Sequence, residues 1–552
     1  MSRFLTPPRR VLAFGRVVAL IVAYGVAVVV GGCGGSSTPA APLPTRTQPL
    51  QTIFEAQTEL FAAPAPTLDL LKHLGVDAVK VFMPWSELAP DPLSHSRPAF
   101  DATSPAAYAA SGWAPFDTII RDAAQRHIAV DLALEAPAPL WATGPGIPPG
   151  TSSGFVGAWR PVAHDFGLFV AAVGTRYSGH YTPPGGGSPL PKVDFWSIWN
   201  EPNYGQQLAP QAIDSSTVEV SPALYRRLLD AAWSALGQTG HAHDRVLIGE
   251  IAPRGLTLGD QPGNFSGMVP LRFIRALYCV DSTLHPLTGA AAIARSCPST
   301  QAGSTAFPSQ HPGLFQAAGF AFHPYPQQYA PNVGTPDGLG ADYADLPQLG
   351  KLERTLDGAF AAYGSNARLV LYDTEFGYQT NPPETIIRAI SPKLAAAYSN
   401  QAEYMSWRDP RVVTWDQYLL ADPPSGLSSF DTGIELAGGA PKQPLYDAFR
   451  MPLYLPVTTT SSNHPIEVWG CVRPAHYVML HSRIPQTVQI QLQRTPGGRF
   501  ETVTRERITD PDGYFDTRVA FPASGLVRIS WAYPHRQGGN RIYSRTVQVS
   551  IR

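Results

Sequence analysis

The chain carries little charge for its length. Only 15% of its 552 residues are charged, the formal net charge is -1, and no basic run or patch occurs. A polyanion partner needs clustered Lys and Arg, so nucleic acid is excluded. Cysteine is also scarce, four in all. None forms a CxxC pair or a His/Cys cluster with metal-ligand spacing, so no metal and no organic cofactor is expected. No repeat of solenoid period is visible. The apolar N-terminal stretch, residues 17–30, falls short of the ~20 residues that a membrane span needs. What the chain does have is proline (56) and glycine (49), which suit many loops, and flat apolar faces from 11 tryptophans and 22 tyrosines. Most of those rings belong in a core.

The N-terminus carries an address. Arg9 and Arg10 precede the apolar stretch, which ends in Val30-Gly31-Gly32-Cys33. A basic region, an apolar region and small residues before a cut form an export signal. Val-Gly-Gly-Cys resembles a bacterial lipobox, which makes Cys33 the lipid-bearing first residue of a lipoprotein. An uncleaved anchor helix or ordinary cleavage nearby is the alternative. Either way the mature protein is extracytoplasmic, at the cell surface or secreted, with the N-terminus as its only membrane contact. Residues 1–33 are thus read as the signal and 34–51, rich in Ser, Thr, Pro and Ala, as a flexible linker. Of the remaining cysteines, Cys279 and Cys297 share a Pro/Ser/Thr-rich region and could bridge, which leaves Cys471 as a buried thiol.

From residue 52 to 452 short apolar, β-branched runs alternate with helical patterns. Strands are expected to begin at Ile53, Ala78, Ile128, Val193, Val246, Ala318, Leu369 and Val412. Helices are expected over 115–125, 164–177, 221–236, 346–363 and 391–406, with Ser221 as an N-cap ahead of Pro222 at the first helical position. Eight strands alternating with helices imply parallel pairing and right-handed crossovers, hence an α/β fold of the (β/α)8 TIM barrel type. Residues 456–552 differ in texture. Period-two alternation at 488–493, 527–531 and 547–551, punctuated by Pro-Gly-Gly and Asp-Pro-Asp-Gly turns, predicts an antiparallel all-β sandwich of Ig-like size. Without an aromatic stripe, it reads as a spacer packed on the barrel, with Trp469 and Trp531 in its core.

In a (β/α)8 barrel the chemistry sits at the C-terminal ends of the strands. Strand four runs from Val193 to Trp199 and stops at Asn200-Glu201-Pro202, since proline removes a ladder donor. That leaves a carboxyl and an amide among indoles, where burial raises a carboxyl pKa. Strand two delivers Lys80 and Trp85, strand three Glu135 and Trp141, and strand five Glu250. Strand six supplies His323 and Tyr325, strand seven Asp373, Thr374 and Glu375, and strand eight Trp415 to Tyr418. Strands four and seven are three apart, so Glu201 and Glu375 face each other across the mouth. Two carboxyls across a sugar-sized gap suit glycoside hydrolysis. A gap of ~5 Å implies retention through a covalent intermediate, and ~6.5–9.5 Å implies inversion. Trp85, Trp141, Trp159, Tyr204, Tyr378 and Trp415 are candidate sugar platforms, with Trp141 and Trp415 favoured by their place at strand ends.

Trp199-Asn200-Glu201-Pro202, His323-Pro324-Tyr325 and Thr374-Glu375-Phe376-Gly377, in this order and on these strands, resemble the clan A retaining glycoside hydrolases, which include the family 5 cellulases and mannanases and the family 39 xylosidases. The resemblance covers residues 52–451. It implies a β-glycosidase with Glu201 as acid/base and Glu375 as nucleophile. It further implies Asn200 on the sugar 2-hydroxyl, Tyr325 holding Glu375, and His323 lining the subsite. Clan members commonly place arginine on strand two where this chain has Lys80, which keeps the charge without the bidentate fork. Asp373 is expected to pair with Lys80, while Glu250 is left between a substrate ligand, an N-cap and a salt bridge. The substrate is expected to be a poly- or oligosaccharide and the protein a monomer. Transglycosylation on the same scaffold, or a non-catalytic carbohydrate-binding lipoprotein, are the alternatives.

Overall fold

The computed structural model describes residues 49–213, 216–255, 265–335, 340–385, 388–424, 430–534 and 540–552. The expected signal segment 1–33, its Cys33 and the linker up to residue 48 lie outside the described residues. Among the described residues no helix is long and apolar enough to cross a membrane.

Eight parallel strands close into a barrel in sequence order: β1 (Gln51–Glu55), β2 (Ala78–Pro84), β3 (Ala129–Glu135), β4 (Phe195–Ile198), β5 (Arg245–Ile251), β6 (Gly319–Phe322), β7 (Val370–Asp373) and β8 (Val412–Tyr418). The runs are apolar on both faces because side chains pack inward on one another and outward on the helices. Helices Ala110–Arg126, Ala163–Arg176, Ser221–Gln238, Leu349–Ala361 and Pro392–Arg408 cover the outside. The third begins at Ser221 itself rather than being capped by it. Ser221 Oγ donates to Gln211 Oε1 at 2.8 Å, so the hydroxyl serves a loop amide and no side chain caps the helix.

Register decides which side chains reach the mouth. Ile53 lies beside Ala78 and Asp416, and Glu55 lies beside Lys80 and Tyr418, so these residues share the inner face. Lys80 pairs in turn with Asp131. The inner face is apolar at its N-terminal end, where Ile53, Ala78, Phe195, Leu247, Ala321 and Tyr372 cluster. Towards the C-terminal end it becomes polar.

Two local irregularities re-aim catalytic candidates. β4 ends at Ile198, earlier than proline would end it. Trp199 and Glu201 adopt φ of 66° and 37°, a left-handed geometry that costs a non-glycine residue energy and persists only where its surroundings enforce it. They do so here: Trp199 N–H donates to Leu134 O, Glu201 N–H to Glu250 O, and the Trp199 indole to Gln207 O. In β5 the register against β6 shifts between Ile248 and Ile251. Gly249 takes φ 102°, with its missing Cβ site 2.6 Å from Ala321 O. This is a glycine bulge, and it turns Glu250 into the barrel.

Beyond the barrel, β9 (Leu453–Tyr454), β11 (Ile466–Cys471) and β14 (Tyr514–Val519) form one sheet. β10 (Thr459–Thr460), β12 (Gln486–Gln493), β13 (Glu501–Ile508), β15 (Gly525–Ala532), β16 (Arg541–Tyr543) and β17 (Val547–Ile551) form the other. Residues of both sheets share one core, including Val468, Ile490, Phe515, Ile529 and Trp531. Pairing is antiparallel except between β10 and β17, which run parallel, and the helix Ala475–Ser482 is inserted; both depart from a purely antiparallel sandwich. These sheets sit at the N-terminal ends of the barrel strands. Arg473, fully buried, donates to Thr52 Oγ1, Glu403 Oε1 and Phe449 O, and Tyr477 Oη donates to Val76 O. Gly75, at φ 84°, lets the backbone of Arg473 approach to a point that a Cβ would fill. Trp469 packs on Tyr404 and Trp407 of a barrel helix rather than within the sheets. Cys279 and Cys297 form a disulfide, and Cys471 is a buried free thiol.

Candidate active site

A cleft of about 1040 Å³ opens at the C-terminal ends of the strands. Glu135, Asn200, Glu201, Tyr325, Glu375 and Tyr418 are among its walls, with Phe82, Tyr204, Arg254, Arg388 and Phe430 around them. None of the wall residues comes from the C-terminal sheets.

At its centre one carboxylate oxygen each of Glu201 and Glu375 and a ring nitrogen of His323 lie within 4.8 Å of one another. His323 is 0% exposed and bridges three acids from below. Its Nδ1 donates to Glu201 Oε1 at 3.0 Å and lies 3.3 Å from Glu375 Oε2, while Nε2 donates to Glu250 Oε2 at 2.9 Å. Burial alone would lower its pKa, but the three carboxylates outweigh burial and push it up to about 9, so the ring is an imidazolium at neutral pH. It therefore sits beneath the subsite rather than lining it.

Lys80 occupies the same layer. Its ammonium lies 2.9 Å from Glu250, 3.2 Å from Glu375 and 3.5 Å from Glu55. Burial opposes the charge, yet Glu250, Glu375 and Glu55 together raise its pKa. At 0% exposed Lys80 touches no sugar; it anchors the acids. The expected pairing with Asp373 does not form. Asp373 is in register with Phe322, which belongs to the core outside the barrel wall, so its carboxyl lies on the opposite face from Lys80. Glu250 resolves as the buried salt-bridge acid. Desolvation works against its ionised form, but Lys80 and His323 prevail and its pKa is lowered. Thr374 Oγ1 also donates to it.

The two carboxyls at the centre of the cleft, Glu201 and Glu375, differ in their surroundings. Burial pushes the Glu201 pKa up, partly offset by the His323 hydrogen bond, as a proton donor requires. Glu375 accepts from Tyr325 Oη at 3.1 Å and from Lys80 at 3.2 Å, two donors that fix its orientation. Asn200 presents a buried Oδ1 that has no hydrogen-bond partner among the described residues. A second acid–histidine trio, Asp77, His476 and Asp512, lies at the other end of the barrel. In the first trio both carboxylates lie against Nδ1 while Glu250 faces Nε2; in the second Asp77 faces Nε2 and Asp512 faces Nδ1. A cation would have to displace the imidazolium proton to use either set.

Three candidate platforms lie elsewhere. Trp85 (1% exposed), Trp141 (8%) and Trp415 (2%) are core rings. Trp85 meets Trp141 edge-on, the Trp141 indole donates to Pro90 O, and Trp415 packs at a tilt against Phe376. Trp159 and Tyr378 are buried too, and of the six only Tyr204 reaches the cleft. The exposed aromatic surface comes instead from Tyr418 and Phe430, which pack with Tyr325 at centroid distances of 5.7–6.1 Å, Phe430 being 47% exposed. Strand parity carried the signal for Tyr418, because it follows Asp416 by two residues and so shares its inward face, whereas Trp415 faces the helices.

No family model and no curated protein matches the sequence. Solved structures do. A family 39 glycoside hydrolase from Bacteroides cellulosilyticus WH2 aligns at 14% identity over 91% of this chain and 79% of its own, with a TM-score of 0.44. A glucosidase from Croceicoccus marinus aligns at 12% identity over 91% and 93%, TM-score 0.44. A β-glucosidase from Thermotoga maritima aligns at 11% identity over 71% and 93%, TM-score 0.43.

The buried charges set a pH dependence of stability. A group whose folded pKa is raised holds its proton more tightly when folded, so its contribution is present below the unfolded pKa and is lost as pH rises through the folded one. Asp77 moves from 3.8 to about 6, Asp131 from 3.8 to about 7, and His323 and His476 from 6.5 to about 9. Glu250, with a lowered pKa, acts in the opposite sense, and only below its ordinary value of 4.5. The melting temperature is expected to fall from about pH 5 to about pH 9. Thermal melts across that interval check this, and a rising melting temperature would contradict the assigned protonation states.

Proposed function

We propose that the chain is an exported retaining β-glycosidase that hydrolyses O-glycosidic bonds of a poly- or oligosaccharide. The approach of Glu201 and Glu375 to within 4.8 Å in one cleft carries the reading, because retaining pairs stand at ~5–5.5 Å and inverting pairs leave room for a water at ~6.5–9.5 Å. The β preference and the export rest on the strand-end motifs and on residues 1–33 respectively.

In the first step Glu375 attacks the anomeric carbon while Glu201 gives its proton to the departing glycosidic oxygen, which leaves a glycosyl ester on Glu375. In the second, the Glu201 carboxylate takes a proton from water, the resulting hydroxyl attacks the same carbon, and Glu375 is released. Lys80 and Tyr325 stabilise Glu375 as a leaving carboxylate. The His323 imidazolium, in contact with both acids, favours whichever of them is ionised. Asn200 Oδ1 accepts from the sugar 2-hydroxyl, a bond that strengthens as the ring flattens in the transition state. Tyr418 and Phe430 offer apolar faces to the C–H side of a pyranose.

A panel of aryl β-glucosides, mannosides, xylosides and arabinosides beside intact polymers tests the reading. Glu201→Gln separates the roles. It is expected to reduce kcat/KM by about 10²–10⁴-fold on poor leaving groups, and far less on dinitrophenyl glycosides, whose departure needs no proton. Equal losses on both leaving groups would remove Glu201 as the acid.

A further inference from the structure

Glu135 is the one cleft carboxyl that the mechanism above leaves unused. It ends β3 in the inward phase, two residues beyond Ala133 and four beyond Asp131. It lines the cleft beside Glu201, Glu375 and Asn200. Around the rim, β3 lies between β2, which contributes Phe82, and β4, which leads into Asn200. Several neighbouring acids are held: Glu250 by Lys80 and His323, Glu375 by Lys80 and Tyr325, Glu201 by His323, and Asp131 by Ser197. Glu135 has no hydrogen bond or ion pair with any described residue. A half-buried carboxyl on the cleft wall, without a partner among the described residues, is open to a ligand that enters there.

The same surroundings fix what that ligand is. Burial, reinforced by Glu375 and Glu250 against the pull of Lys80, raises the Glu135 pKa well above its ordinary value. A neutral carboxyl offers one O–H donor and a carbonyl acceptor, and a sugar hydroxyl answers both. We propose that Glu135 is a specificity-determining ligand of the sugar at the cleavage site, binding the ring hydroxyl next to the one that Asn200 engages. With Asn200 on the 2-hydroxyl, the neighbouring position is the 3-hydroxyl. The subsite then selects a neutral ring with that hydroxyl in place. It disfavours a ring carrying a carboxylate on this side, because the new charge would face Glu375.

The inference rests on the proposed glycosidase reading, and the test keeps the two apart. Wild type, Glu135→Gln and Glu135→Ala are compared for turnover of the best 4-nitrophenyl β-glycoside of the panel and of its 3-deoxy analogue. Binding of the parent monosaccharide and its 3-deoxy form is measured by calorimetry alongside. A site built to bond a hydroxyl rejects the analogue lacking it by up to ~10⁴-fold. Glu135→Ala is expected to lose about 10²-fold or more in kcat/KM on the parent glycoside and to show no further loss on the deoxy analogue. Glu135→Gln, which keeps a donor and an acceptor without charge, is expected to stay within about ten-fold of wild type. Equal discrimination by wild type and Glu135→Ala overturns the proposal, as does a Gln variant as impaired as Ala. If wild type turns over no glycoside while Glu135→Ala still loses monosaccharide affinity, the hydrolase reading falls and this one stands.

Discussion

Replacing Glu375 by alanine is expected to lower kcat on an aryl β-glycoside by about 10⁴–10⁶-fold, with substrate affinity little changed. The size follows from the proposed chemistry. Glu375 makes the covalent bond, and no other cleft carboxyl is placed to replace it. Glu201 lies within 4.8 Å but is tied to His323, and burial pushes the Glu135 pKa up, which disfavours the carboxylate that an attack requires. Added azide sharpens the test. In Glu375→Ala the small anion occupies the space of the lost carboxylate and attacks from the same face, so the product is an α-glycosyl azide. A β-glycosyl azide from this variant would mean that Glu375 is the acid/base and that the two roles are exchanged. Undiminished turnover would remove Glu375 from the mechanism altogether.

Lys80→Met is expected to be the most damaging change outside the cleft wall. The fully buried ammonium contacts Glu55, Glu250 and Glu375, and deleting it leaves three acids facing one another without their main counter-charge. Breaking a buried ion pair costs about 3–5 kcal/mol, and here one cation serves several acids. The melting temperature should fall markedly. In whatever remains folded, kcat should drop by about 10²–10³-fold, because Glu375 loses the hydrogen-bonded cation that orients it. The two effects separate on measurement. If thermal melts show the loss of stability but kcat per folded molecule is unchanged, Lys80 is a structural counter-ion only. A variant as stable and as active as wild type would contradict the ion network itself. Lys80→Arg keeps the charge but requires a fork where the site is shaped for a point, so partial recovery of stability is expected.

The outline of the fold was legible because buried parallel strands are short apolar runs with sharp ends. Each expected start lies within two residues of the observed one, from Ile53 against Gln51 to Val412 against Val412. Glu201 and Glu375 could be singled out for the same reason, since strand ends point to the mouth of a barrel whatever the packing elsewhere. What stayed hidden depends on long-range register. That Lys80 would lie between Glu55 and Asp131, and not near Asp373, follows from closure of the barrel through β1 and β8, which no local pattern encodes. The bulge at Gly249 was written in the sequence as a glycine ahead of a glutamate, but its effect of turning Glu250 inward needs the shifted pairing with β6. The tryptophans misled for a simpler reason. Position at a strand end does not say which face a ring takes, and large indoles fill the layer between strands and helices more readily than they line a wet cleft. Among the cleft aromatics, Phe430 lies on a loop after β8, where neither period nor parity applies.

The separation of Glu201 and Glu375 makes one demand that an inverting mechanism does not share, namely that the anomeric configuration survives hydrolysis. Proton NMR of the sugar released from an aryl β-glycoside, recorded in the first minutes before mutarotation equilibrates it, reads this directly. The account predicts the β-anomer as the first-formed product. The α-anomer appearing first would contradict it, because a pair of acids within 4.8 Å leaves no room for the water that inversion requires.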